Sequence, residues 1–151
     1  MSSGVIVLTK DHGYVIMNAA LVSIVAMWHS INVGRCRKAA GIHYPETYAP
    51  KELAEKNVEA MRFNCAQRAH CNFLEALPCF IIPYFTSSLM FPKSAAVLGV
   101  AWNIGRIVYA KGYSTGNPKK RLRGSFSFLS IVSLMGLSFY SGYQILTGNI
   151  A

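Results

Sequence analysis

The chain has 151 residues, of which 52% are hydrophobic and 14% charged, with a net charge of +9 and a mean hydropathy of +0.30. Soluble domains carry about 25% charged residues, so this deficit and the long apolar runs exclude an ordinary soluble domain and point to an integral membrane protein. The basic residues cluster in two loops, which assigns the positive charge to membrane topology rather than to nucleic-acid binding.

Residues 1–12 are short and polar, with Lys10 and Asp11. The first apolar run, residues 13–33, carries no acid or base besides His29 and is long enough for one span. No convincing small-residue cleavage site follows it, so it reads as a retained signal-anchor. Trp28 and His29 near its end suit a membrane interface, and Arg35, Arg37 and Lys38 follow as stop-transfer charge. Residues 41–61 form the most polar part of the chain. Pro45, Pro50 and mixed charges make it a loop, with one helical turn expected after Pro50.

The second span is expected over about residues 64–90, kinked at Pro78 or Pro83. Its lower part carries Arg68, Asn72 and Glu75 at i, i+4 and i+7, on one helical face. Ionisable groups at that depth are costly unless paired or facing a polar cavity, and are functional candidates by default. The bland alternative is an Arg68–Glu75 pair that only holds helices together. A third span, about residues 94–113, sets Arg106, Tyr109 and Tyr113 on one face at i, i+3 and i+7. An interfacial aromatic belt accounts for the tyrosines but not for the arginine. The loop 114–124 turns at Gly116, Asn117 and Pro118 and carries Lys119, Lys120, Arg121 and Arg123. The fourth span, about residues 125–146, is apolar with scattered Ser and Gly that permit close helix contacts.

The fold expected is therefore an all-α, four-transmembrane-helix bundle of up-down topology in one domain. The positive-inside rule puts both basic loops in the cytosol and both termini on the other side. The polar ends of the first three spans then open at the cytosolic face. The four cysteines (Cys36, Cys65, Cys71, Cys79) show no metal-ligand spacing and read as reduced packing residues.

No Ser-His-Asp set, metal cluster or glycine phosphate loop stands in the sequence. Arginine does not titrate near neutral pH, so it is no general base. It holds carboxylates in bidentate pairs or stabilises a developing anion. Glu75 suits a ligand ammonium, and the tyrosine hydroxyls suit a polar ligand. Together these groups fit a small zwitterion with several carboxylates and an amine, presented to a lipid-soluble partner. Spacing does not name that ligand.

Three stretches carry a resemblance: INVGRCRKAAGIHYP (31–45), FNCAQRAHCNFLEALP (63–78) and GRIVYAKGYSTGNPKKRLRG (105–124). At these residues the chain resembles the membrane-associated eicosanoid and glutathione metabolism family, and within it the type 3 branch of the microsomal glutathione transferases. The resemblance implies a homotrimer in the endoplasmic reticulum membrane, with glutathione bound between protomers at the cytosolic side. It implies conjugation of glutathione to lipophilic electrophiles, reduction of lipid hydroperoxides, or leukotriene C4 synthesis. By position, Arg37, Arg68, His70, Asn72, Glu75, Tyr109 and Tyr113 would bind glutathione, and Arg121 would stabilise its thiolate. Lys120 and Arg123 stay open for that last role, because the alignment needs one inserted residue in the 114–120 turn. His70 stands where some relatives have glutamine, and Ala76 or Leu77 where relatives have tyrosine. A non-enzymatic lipid-binding or scaffold role, known in one branch of the family, is the alternative.

Overall fold

A computed structural model describes residues 7–148; the start of the polar leader and the last residues of the uncharged tail lie outside it. The first helix, α1 (Lys10–Ala40), forms because its apolar run has no proline and repeats its inward residues at helical spacing. Val15, Asn18, Val22, Val25, His29, Val33 and Arg37 make one buried stripe. Gly41 ends the helix in the left-handed region, with φ 65°, where its N–H and that of Ile42 return to the carbonyls of Lys38 and Arg37.

The turn expected after Pro50 is α2 (Lys51–Lys56), and Asn57 then caps α3 (Val58–Ser88) by accepting from the N–H groups of Glu59 and Ala60. Helix α3 runs unbroken through Pro78 and Pro83. Helix α4 (Pro92–Tyr113) begins on Pro92, where the missing N–H costs nothing. A short 3-10 helix (Pro118–Gly124) and α5 (Ser127–Leu146) complete the order. No strand occurs among the described residues.

Helices α3 and α4 pack on each other, and both α1 and α5 pack against this pair. The shared core is a row of aromatic rings. His29 lies 4.7 Å from Phe73, Phe73 5.4 Å from Trp102, and Trp102 stacks on Phe80 at 3.9 Å. Below it sits a buried polar knot: Asn103 Nδ2 donates to Asn18 Oδ1, Asn18 Nδ2 to Tyr84 Oη, and Tyr84 Oη to the Val15 carbonyl. Three helices are thereby fixed in register by groups that would be costly to leave unpaired away from water.

The outer surface is apolar, with Met17, Phe128, Leu129, Phe139 and Leu146 all exposed. Among the described residues, α1 and α5 are long and apolar enough to cross a membrane on composition alone. Each of the four predicted segments overlaps a long helix, the second running two residues past the end of α3 and the fourth starting two residues before α5, yet α3 and α4 do not reach that measure. The reason is local. Their apolar residues are diluted by Arg68, Asn72 and Glu75 on α3 and by Lys93, Asn103 and Arg106 on α4, of which Asn103 and Arg106 are turned inward.

Candidate functional site

One line of polar and aromatic groups runs from α3 across α4 to the basic loop. It starts on the α3 face where spacing placed Arg68, Asn72 and Glu75. Arg68 Nη1 donates to Glu75 Oε1 at 2.8 Å and Nη2 to Oε2 at 3.3 Å, so the pair is bidentate. Both side chains are about half exposed, 49% and 54%. A pair this open to solvent is screened and contributes little to stability. A ligand that offers a carboxylate to Arg68 and an ammonium to Glu75 can replace it at little cost.

Asn72, next to that pair, turns toward α4. Its Oδ1 accepts from Arg106 Nη2 at 3.0 Å. Arg106 is 5% exposed, and its guanidinium stands 5.0 Å from the Tyr109 ring centroid, within cation–π range. Tyr109 and Tyr113 meet edge to face at 5.8 Å, and the Arg121 guanidinium lies 5.4 Å from the Tyr113 ring. Asn72, Arg106, Tyr109, Tyr113 and Arg121 are thus linked contact by contact.

Two glycines seat Arg121. A Cβ on Gly112 would collide with the Lys120 carbonyl, and one on Gly124 would collide with the backbone of Gly105 and Tyr109. Only bare backbone lets the 3-10 helix lie directly on the end of α4. Arg121 Nη1 also donates to the Pro118 carbonyl at 2.9 Å, which curls the side chain back over its own turn. Of the three cations left open by the alignment, Arg121 is half-buried against Tyr113, whereas Lys120 and Arg123 are exposed.

Two predicted residues stand apart from this line within the chain. The Arg37 guanidinium lies 4.3 Å from the Tyr44 ring and 4.5 Å from that of Phe63, and Nη1 donates to the Glu46 carbonyl at 2.6 Å. It holds the loop after α1 in place. His70 sits two residues, or about 200°, around α3 from Arg68, and its ring faces His29 at 6.0 Å.

Arg106 shares the stripe of Tyr109 and Tyr113 in the sequence, but its partner on α3 appears only in the fold. Tyr48 is a residue the sequence did not single out. Its hydroxyl donates to Cys71 Sγ at 3.8 Å, on the α3 face of Arg68 and Glu75. Burial raises the Tyr48 phenol above its usual range, with Cys71 adding to the effect and Arg68 opposing it, so it remains a donor at neutral pH. Among the described residues no cluster of His, Cys, Asp or Glu stands ready to hold a metal ion, and all four cysteines are free.

The sequence matches the MAPEG family over residues 15–143. It is also 30% identical over 117 residues to an uncharacterized protein of Synechocystis, a stretch covering 77% of this chain and 78% of that relative. The match spans both α3 and α4 and the basic turn that carries Arg121, and by it the chain belongs to the MAPEG family, whose members are membrane-associated.

Proposed function

We propose that the chain is a microsomal-type glutathione transferase with glutathione peroxidase activity, extending to leukotriene C4 synthesis. In this reading all four long helices cross the endoplasmic reticulum membrane as an up-down bundle, three protomers assemble, and the site faces the cytosol. The observation that carries it is the line from the Arg68–Glu75 pair through Asn72, Arg106 and the two tyrosines to Arg121.

Glutathione has two carboxylates, an ammonium and a thiol. Arg68 takes a carboxylate, Glu75 the ammonium, and Asn72 a backbone-like amide of the peptide. Tyr109 and Tyr113 orient the peptide toward Arg121. A thiol is a weak nucleophile until it loses its proton, and a nearby cation lowers its pKa. A close guanidinium supplies about one to three units, each about 1.4 kcal/mol. The thiolate sulfur then attacks an electrophilic carbon and expels its leaving group. With a hydroperoxide it attacks the terminal oxygen, and a second glutathione completes the reaction to alcohol, water and glutathione disulfide.

Arg37 and His70 enter this scheme by resemblance, and across a protomer boundary. Arg68 and Glu75 are exposed on the outer face of α3, as a ligand site completed by a neighbouring copy requires. One observation favours the non-enzymatic alternative. Two grooves, about 730 Å³ between α1 and α4 and about 520 Å³ between α3 and α5, are lined mainly by apolar residues suited to a lipid. An assay of the detergent-solubilised full chain separates the two. Glutathione-dependent conversion of a lipophilic aryl halide or a fatty-acid hydroperoxide supports the enzyme. Lipid binding with neither turnover supports the scaffold.

A further inference from the structure

The loop between α1 and α2 is strapped down on α3 at two points. Arg37 holds the Glu46 carbonyl and is stacked between Tyr44 and Phe63. Three residues on, Ala49 exchanges two hydrogen bonds with the Asn64 side chain: its N–H donates to Oδ1 at 2.7 Å, and its carbonyl accepts from Nδ2 at 2.9 Å. Asn64 lies one turn before Arg68 on the same face. Tyr48 sits between these anchors, 39% exposed, and its hydroxyl reaches Cys71, which lies one helical turn from both Arg68 and Glu75.

Its present bond is poor. A thiol sulfur is a weak acceptor, and the separation is 3.8 Å. A carboxylate at the same place would accept a charge-assisted bond roughly twice as strong as a neutral one. The strap has already fixed the backbone on either side, so little ordering entropy opposes the exchange. We infer that Tyr48 is a ligand-binding residue of the Arg68–Glu75 site, donating its phenolic proton to a carboxylate of the bound peptide. This rests on the reading of that site as a glutathione site. It brings a membrane-extrinsic loop into a site otherwise built from helices and the basic turn.

The bland alternative is that Tyr48 only pins the loop through Cys71. The two separate cleanly, because Tyr48→Phe removes the hydroxyl and keeps the ring, while Cys71→Ala removes the structural partner and keeps the hydroxyl. The test is calorimetric titration of glutathione into the detergent-solubilised full chain and the two variants. The expected result is a Kd about tenfold weaker for Tyr48→Phe, and for Cys71→Ala one within about twofold of the parent. Equal affinity of Tyr48→Phe and parent overturns the assignment, as does equal weakening in both variants. If the parent itself binds no glutathione, the transferase reading falls and this inference with it.

Discussion

Arg106 on α4 donates to Asn72 on α3 at 3.0 Å, and this one bond aims the amide of Asn72. With Oδ1 committed to Arg106, the Nδ2 group is the part of Asn72 left to donate outward, toward the Arg68–Glu75 face. In the proposed function Arg106 is a positioning residue, acting on glutathione through Asn72 and through Tyr109. Replacing it by methionine keeps the bulk and removes a buried cation. Glutathione affinity should fall about fivefold to thirtyfold, as one to two kcal/mol implies. Thermal stability should hold or rise, because replacing a buried charge by a well-packed apolar group is often neutral or favourable. Equilibrium dialysis and a melting curve on the same preparation check both halves.

Glu75→Gln tests the other end of the site. The Arg68–Glu75 pair is open to solvent, so its loss should leave the melting temperature nearly unchanged. A charged hydrogen bond to the ligand ammonium contributes about 1.5–3 kcal/mol, so glutathione should bind about ten- to a hundredfold more weakly. Equal affinity for both proteins in equilibrium dialysis would count against Glu75 as the amine ligand.

Gly112→Ala should move the 3-10 helix without touching a reacting group. The added methyl meets the Lys120 backbone, which cannot swing aside as a flexible side chain would. Turnover should fall at least about tenfold while the circular-dichroism helix signal is unchanged, since alanine is a better helix former than glycine. Gly136→Ala on α5 is the control, with open space around its added carbon. Equal turnover in the two variants would mean that the seat of Arg121 on α4 does not matter.

The parts of the site that share one helix were legible in the sequence, because helical spacing alone puts Arg68, Asn72 and Glu75 together, and Arg106 with Tyr109 and Tyr113. The contacts that join helices were not. Nothing local to Asn72 says that its partner lies 34 positions away. The same limit hid Tyr48, whose loop crosses α3 only because Asn64 and Arg37 capture it. His70 is instructive in the other direction. Its two-residue offset from Arg68 already turns it to the opposite side of α3, and there it meets His29. Helix positions followed from the apolar runs, but hydropathy does not make spans of α3 and α4, because the polar residues they carry, Asn72 and Arg106 among them, dilute those runs.

In the proposed function Arg121 stabilises a glutathione thiolate. The most direct measurement is an ultraviolet difference spectrum of the purified, detergent-solubilised chain on addition of glutathione at neutral pH. The expected result is a stoichiometric thiolate band that disappears in Arg121→Ala while glutathione still binds and the assembly state is unchanged. A band of equal size in Arg121→Ala, or bound glutathione with no band in the parent, would contradict it.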